Sequence, residues 1–215
     1  MKCIICNKTA RQIDDNAMQW HFYHCESCAF FFKDRSQLLY GEAEKRIYDN
    51  HDNTLDSPGY VRMFEDFIDF CIQERLETIK NVLEFGSGPG PVLSMLLENL
   101  GLHVRKYDKF YYNKTIRDEE RFELITSTEV IEHIDDIHAV FTLFSKHLRC
   151  GGYLAIMTQF HNNNAEEFLH WWYRKDPTHI SFFTPQTFKI LAHSHGFNIV
   201  KSDGKKTILL TKESS

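Results

Sequence analysis

The stretch from Asn81 to Gly101 constrains the fold more than any other. A short apolar run, Asn81 to Phe85, passes through Gly86-Ser87-Gly88-Pro89-Gly90 into a helical pattern from Pro91 to Leu100 that Gly101 ends. A buried strand that turns through glycines into a helix is the start of a parallel βα unit. It places its turn at the carboxyl edge of the sheet, where open α/β folds bind ligands. The alternation continues, with strands predicted over Leu102 to Asp108, Phe122 to Ser127 and Tyr153 to Thr158. The last two flank a helix that Asp135 or Asp136 can cap and that Gly151 and Gly152 end. Helices follow near Ala165 to Trp172 and from Thr184-Pro185 to Gly196. Strands at Phe197 to Lys201 and Lys206 to Thr211, joined by Ser202-Asp203-Gly204, predict a closing hairpin. The fold class expected is α/β, a Rossmann-like doubly wound, mostly parallel sheet with a C-terminal β-hairpin.

The 215 residues suffice for one such core and a small appendage, and 42% hydrophobic with 26% charged residues is ordinary for a globular chain. No run of about 18 apolar residues predicts an integral membrane segment. Met1 to Ala10 carries two cysteines where a signal peptide needs an apolar core, so the chain reads as cytoplasmic. A net charge of -5 with scattered Lys and Arg gives no broad basic footprint, which speaks against nucleic acid as a partner. The oligomeric state stays open.

The appendage lies at the N-terminus. Cys3/Cys6 and Cys25/Cys28 form two C-x-x-C pairs whose separation falls within the roughly 15 to 20 residues of a four-thiolate zinc ribbon. Four ligands close a tetrahedron and leave no open position, so the zinc is read as structural; His21 and His24 flank the second pair and could substitute as ligands, and the alternative is four reduced cysteines without metal. Phe30-Phe31-Phe32 cannot all be buried within a ribbon. They either dock on the larger domain or form a partner-binding or membrane-touching patch. Isolated Cys71 and Cys150 read as small core residues. After a polar connector, Ser57-Pro58 looks like an N-cap and first-turn proline. Val61, Phe64, Ile68, Cys71, Ile72 and Leu76 then repeat at helical spacing over about 18 residues. The expected units are a zinc ribbon, 1–33, a helical connector and lid, 34–80, and the Rossmann-like domain, 81–215.

Proline at position 91, where a dinucleotide fingerprint has its third glycine, disfavours a nicotinamide cofactor. Asp108, at the end of the second strand, can accept both hydroxyls of a ribose, or can simply be a solvated strand end. Taken in order, Glu84-Phe85-Gly86-Ser87-Gly88-Pro89-Gly90, Asp108, the run Ile125 to His133 and the run Gly151 to Thr158 resemble class I S-adenosylmethionine-dependent methyltransferases. With Tyr48-x-x-His51-x-Asn53, Gly59-Tyr60 and Tyr173 to His179, the chain resembles a bacterial branch of that family with an N-terminal zinc knuckle. The resemblance implies S-adenosylmethionine as cofactor. It places Glu84, Phe85, Gly86, Ser87, Gly88 and Gly90 along its methionine part, Asp108 at its ribose, and Ser127, Thr128 and Glu129 in the pocket beyond the fourth strand. One departure stands out: only about a dozen residues separate Asp108 from Phe122, too few for the family's usual helix and third strand. Asp118, Glu119 or Glu120 would have to replace the adenine-contacting acid that strand carries.

A sulfonium cofactor brings an already activated methyl group, so the enzyme chiefly holds an acceptor in line and excludes water. A hydroxyl acceptor also needs a base. Asp176 and His179, an Asp-x-x-His pair, suit that duty, or else Asp176 caps a turn and His179 packs beside it. His133 is a second catalytic candidate. Trp172 and Tyr173, next to Trp171, offer either an aromatic wall or core packing, and Tyr48, His51 and Asn53 either a lid over the acceptor or a solvated connector. His193 and His195 read as surface residues. The function expected is methyl transfer to a small-molecule acceptor. Its alternatives are an RNA or protein methyltransferase docking through the ribbon, and a non-catalytic cofactor-binding or interaction protein.

Overall fold

The computed structural model describes residues 1–49 and 56–213, so His51 and Asn53 lie outside the described residues. The chain opens with three short antiparallel strands, β1 (Arg11–Asp15), β2 (Trp20–Cys25) and β3 (Phe30–Lys33), followed by a short helix α1 (Glu42–Tyr48). The amphipathic helix α2 runs from Pro58 to Cys71 and then tightens into a 3-10 segment, Gln73–Thr78, so it is shorter than the apolar spacing predicts. Ser57 stands at its N-cap without a side-chain hydrogen bond, and Pro58 sets the first turn.

The α/β core follows as β4 (Asn81–Phe85), α3 (Val92–Asn99), β5 (His103–Tyr107), β6 (Phe122–Thr128), α4 (Ile137–His147) and β7 (Leu148–Met157). It is completed by α5 (Ala165–His170), β8 (Ser181–Phe182), α6 (Pro185–His195), β9 (Phe197–Ser202) and β10 (Thr207–Lys212). Six strands form one sheet in the order β5-β4-β6-β7-β10-β9. The first four are parallel, and β10 joins β7 and β9 antiparallel, as the closing hairpin requires.

Period-two alternation explains why these segments are strands. Val82, Leu124, Ala155, Met157 and Leu209 point to one face, where they pack with Phe64, Phe67 and Ile68 of α2 and Leu93 and Leu97 of α3. Leu83, Phe85, Ile125, Leu154, Ile156 and Leu210 point to the other, against Phe141 and Phe144 of α4 and Phe188 and Leu191 of α6. Both faces are therefore covered, and the strands read as nearly continuous apolar runs.

The helix signals act where the sequence places them, with two exceptions. Asp136 caps α4 by accepting from the Ala139 N–H at 2.9 Å, and Thr184 and Thr187 form a reciprocal cap on α6, which Gly196 ends at φ 73°. Gly151 and Gly152, expected to end α4, instead lie inside β7, because α4 stops four residues earlier. The helix expected to reach Trp172 ends at His170. Cys71 is buried as expected, whereas Cys150 is exposed, since it sits at the frayed start of β7. His195 is half-buried: its Nε2–H donates to His138 Nδ1 at 2.8 Å, while His138 Nε2–H donates to the Ile5 carbonyl at 3.0 Å.

The ribbon does not stand apart. β1, β2 and β3 make a second sheet whose fourth strand is β8, paired antiparallel with Phe31 opposite Phe182 and Phe32 opposite Ser181. Phe30, Phe31 and Phe32 are all buried, which answers the choice between docking and an open patch in favour of docking. Phe31 is stacked between His24, at 4.0 Å, and Phe168, at 4.1 Å. Thr187 Oγ1 donates to the Cys28 and Ala29 carbonyls, both at 2.9 Å. Arg174 is buried in an ion pair with Asp15 of β1. Among the described residues no helix is long and apolar enough to cross a membrane.

Phe31→Ala removes the ring at this seam and is expected to cost about 3–5 kcal/mol. The measurement is urea unfolding followed by fluorescence. A midpoint unchanged from the parent would show that the ribbon contributes nothing to the stability of the domain it lies on.

Candidate active site

The site forms at the carboxyl edge of the parallel strands, beginning with the turn after β4. Gly86 takes φ 83°, and a Cβ there would stand 2.3 Å from Val130 Cγ2, so backbone must pass where any side chain would collide. The Gly86 and Ser87 N–H groups donate to the Tyr107 carbonyl at 2.7 and 3.2 Å, binding this turn to the end of β5. Asp108 completes the link. Its Oδ2 accepts from the Gly88 N–H at 3.0 Å, and its Oδ1 from the Phe110 and Tyr111 N–H groups at 2.8 and 3.1 Å. One carboxylate thus organises two ligand-facing loops and keeps lone pairs for a further donor.

Glu84, at the end of β4, is buried and bonded by the Ser94 hydroxyl. Burial pushes its carboxyl up to about 7, against the opposing pull of Ser94 and Lys106. The Ser87 hydroxyl is buried without a hydrogen-bond partner. These residues fit a cofactor with hydroxyls and a cationic centre: a cradle a Cβ would fill, an unpaired hydroxyl, and two carboxylates on one cavity wall.

That cavity has a volume of about 620 Å³, within the usual range for small-molecule sites. Its roof is tied down by α1, where buried Glu44 accepts from Tyr48 Oη at 2.9 Å and Lys109 Nζ at 2.6 Å, and Asp49 accepts from Tyr111 Oη at 2.6 Å. The Tyr48 ring meets His133 edge-on at 5.1 Å.

The far end is built by the turn after β6 and the segment after α5. Glu129 has φ 52°, a strained backbone for a side chain of its kind, held by its N–H donating to the Met157 carbonyl at 2.8 Å. Tyr173 Oη donates to Glu129 Oε2 at 2.9 Å and to Glu132 Oε1 at 2.6 Å. Burial raises both carboxyls above the ordinary range, and for Glu132 the neighbouring Glu129 raises it further. His133 Nδ1–H donates to the Thr178 carbonyl at 3.0 Å, and His179 Nδ1–H to the Tyr173 carbonyl at 2.7 Å. A carbonyl only accepts, so both rings carry a proton on Nδ1. Burial and the neighbouring His179 hold His133 neutral at physiological pH. Asp176 Oδ2 lies 3.9 Å from His179 Nε2. Burial pushes the Asp176 carboxyl up, but hydrogen bonds from the Thr178 hydroxyl and N–H, with the charge interaction of the neighbouring His179, outweigh it and keep it below the usual range.

Of the cofactor candidates, Glu84, Phe85, Gly86, Ser87, Gly88, Gly90, Asp108, Thr128 and Glu129 line the cavity. Ser127 does not: it sits inside β6 with its hydroxyl buried among the strands. Tyr48, His133, Tyr173, Asp176 and His179 also line it, and Trp172 stands at the rim with 66% of its surface exposed. None of Asp118, Glu119 or Glu120 reaches the cavity; Asp118 pairs with Lys146, and Glu120 with Arg105 and Arg117. The short segment instead folds back through an Asp108–Tyr112 bridge and presents Lys109, Phe110 and Tyr111. Those three and Glu132 escaped the sequence reading, although Glu132 lies within the run Ile125 to His133.

A second constellation lies in the ribbon. Cys3 and Cys28 sulfurs are 3.5 Å apart, as are Cys6 and Cys25, and all four sulfurs fall within 4.8 Å of one another. A disulfide would need about 2.05 Å.

A family model described as "Methyltransferase domain" matches residues 59–202, which takes in α2, the glycine turn and both histidines. The chain belongs to the methyltransferase domain family. Its fold is that of class I S-adenosylmethionine-dependent methyltransferases. Similar solved structures include an O-methyltransferase family protein from Burkholderia thailandensis, at 16% identity and TM-score 0.53, covering 80% of this chain and 60% of that one. Mitomycin 7-O-methyltransferase MmcR is similar at 9% identity and TM-score 0.56, covering 70% and 53%. DesVI of Streptomyces venezuelae is similar at 13% identity and TM-score 0.54, covering 81% and 99%. The chain thus spans little more than half the length of the first two. No protein of curated function matches the sequence.

Gly86→Ala of this methyltransferase-family chain is expected to lose about 1–2 kcal/mol from the forced left-handed backbone alone, and more from the overlap with Val130. Adding Val130→Ala should return only the overlap part. Thermal unfolding of the single and double variants checks this, and full recovery in the double variant would exclude the backbone contribution.

Proposed function

We propose that the chain transfers the methyl group of S-adenosylmethionine to a small-molecule acceptor. The observation that carries this reading is that one cavity is lined both by the Asp108-linked glycine turn and by His133, Asp176 and His179. Bound at the turn, the cofactor supplies an activated methyl on a sulfonium. Glu84 and Asp108 offer the negative charge that a cationic cofactor needs, and Tyr48 of α1 lines the same cavity.

The acceptor would sit among Tyr48, Trp172 and Tyr173, with His179 Nε2 or His133 Nε2 as the basic edge and Asp176 balancing charge beside it. His51 and Asn53 remain candidates for the same role from sequence alone. One feature supports a small acceptor over RNA: the cavity wall carries Glu84, Asp108, Glu129 and Asp176 against Lys109 as its one cation among the described residues. A phosphate backbone would be repelled there.

For the ribbon, we propose structural zinc held by Cys3, Cys6, Cys25 and Cys28. A tetrahedron with Zn–S bonds of about 2.3 Å separates its sulfurs by little more than the 3.5 Å observed. Unpaired thiols in such a centre suit the cytoplasm.

Calorimetric titration of S-adenosylmethionine tests the cofactor assignment. Asp108→Ala, which loses hydrogen bonds to a charged group worth about 1.5–3 kcal/mol each, should weaken binding by a factor on the order of ten or more, and His179→Ala far less. Equal losses would undo the division between cofactor and acceptor ends. Glu84 adds a pH signature. Its carboxyl is protonated below about 7, and the cationic cofactor favours the ionised form, so affinity should climb as pH rises through that value and then level off. In Glu84→Gln this climb should vanish; its persistence would assign the pH dependence to another group.

A further inference from the structure

We infer that zinc in the ribbon is a switch for one side of the cavity only. With the metal bound, the segment from Tyr173 to Phe183 is held at the cavity; with the metal removed, that segment loosens while the glycine turn keeps its shape and its ligand. The inference rests on the structural-zinc reading above.

The segment has little order of its own, although Tyr173, Asp176 and His179 in it line the cavity. Between α5 and α6 lie a 3-10 turn, Trp172–Lys175, without a side-chain cap, and the two-residue strand β8. Elements this short do not persist without neighbours. The ribbon supplies neighbours along its whole length. Asp15 pairs with Arg174, both buried, the Lys33 Nζ donates to the Pro177 carbonyl at 3.3 Å, and the Lys33 N–H donates to the Ile180 carbonyl at 2.9 Å. Beyond them β3 pairs with β8, the Phe182 ring meets Phe22 at 6.0 Å, and the Phe183 ring meets Phe30 at 5.2 Å. From the α/β side Tyr173 and Thr178 still meet Glu132 and His133, so loss of the ribbon contacts loosens the segment without unfolding the sheet behind it.

The cysteines stand at the root of these contacts. Cys25 is the last residue of β2 and lies opposite Phe30 of β3, and Cys28 comes two residues before β3 begins. A metal bound to both thiolates closes the β2–β3 turn and so fixes the edge on which β8 forms. Ala29, between Cys28 and β3, has φ 50°, a left-handed backbone that a side chain resists. Its carbonyl accepts from Thr184 Oγ1 at 3.1 Å and from Thr187 Oγ1 at 2.9 Å, so this strained turn also meets the start of α6. Three strands of five, six and four residues make too small a core to hold such a turn alone, and in so short a segment metal-binding energy is folding energy. The glycine turn has another foundation. Its Gly86 and Ser87 N–H groups bond the Tyr107 carbonyl and its Gly88 N–H bonds Asp108, within the parallel sheet and its loops. The two sides of the cavity therefore open as separate cooperative units.

The experiment is hydrogen–deuterium exchange of the whole chain, read by mass spectrometry, for zinc-loaded protein, for protein stripped by a chelator under reducing conditions, and for stripped protein given Zn²⁺ again. Amides in residues 20–33 and 173–183 should exchange faster after stripping by a factor on the order of ten or more, and recover when zinc returns. Exchange in β4 and β6, and S-adenosylhomocysteine affinity by calorimetry, should change by less than about twofold. Asp15→Asn keeps the four cysteines and an oxygen for the Ala17 and Met18 N–H groups but cuts the ion pair to Arg174, so it should speed exchange in 173–183 with zinc still bound. Parent-like exchange in that variant would overturn the link through Arg174. Exchange in 173–183 that ignores stripping, or equal acceleration in β4 and β6, overturns the switch, and a purified protein that binds no zinc overturns it together with the zinc reading. Failure of the zinc-loaded parent to bind S-adenosylmethionine would instead overturn the methyl-transfer reading and leave the exchange result standing.

Discussion

The pairing of β8 with β3 is the interaction on which the site depends. Ser181 and Phe182 lie in the α/β part of the sequence yet complete the sheet of the ribbon, so the segment just before them is held from both sides. That segment carries Tyr173, Asp176 and His179. Arg174 within it is buried against Asp15, and Lys33 Nζ, over the Trp20 ring, donates to the Pro177 carbonyl at 3.3 Å. Burial brings the Lys33 amine down to about 8, the cost of a cation placed where it can hold a backbone turn. The ribbon is therefore part of the frame that holds Tyr173, Asp176 and His179 at the cavity.

The same logic governs the glycine-turn side of the cavity at smaller scale. The short connection from β5 to β6 omits a helix and a strand, and β5 becomes the edge of the sheet. Asp108 compensates by binding three N–H groups, and Lys109 and Tyr111 are anchored to Glu44 and Asp49 of the α1 region. This wall of the cavity is built from a loop and a helix joined by side-chain hydrogen bonds. Such a wall opens at lower cost than a strand, because few buried apolar contacts hold it.

Buried polar groups concentrate where the two sides meet. Glu129, Glu132, Tyr173, His133 and His179 form a connected set in low-dielectric surroundings, with a strained backbone at Glu129 and an unused oxygen on Glu132. A core selected for stability alone would fill this volume with apolar side chains. Polar groups kept there at such cost point to ligand chemistry, and the comparison with methyltransferases names its class.

Periodicity and punctuation determined the elements. The glycine turn, the alternating strands, the caps at Asp136 and Thr184 and the paired cysteines are local signals, because they express backbone conformations and ligand spacings within a few residues. The length of α2, the exposure of Cys150 and the contact of His195 with His138 were not legible, since each depends on where another segment lies. Nor could the sequence show that Ser127 faces the sheet while Lys109 to Tyr111 face the cavity, a matter of which way a loop folds back. Only the tertiary structure decided that β8 joins the ribbon. A two-residue strand has no periodicity of its own, and it exists because β3 offers an edge and Phe31 and Phe182 share one buried face.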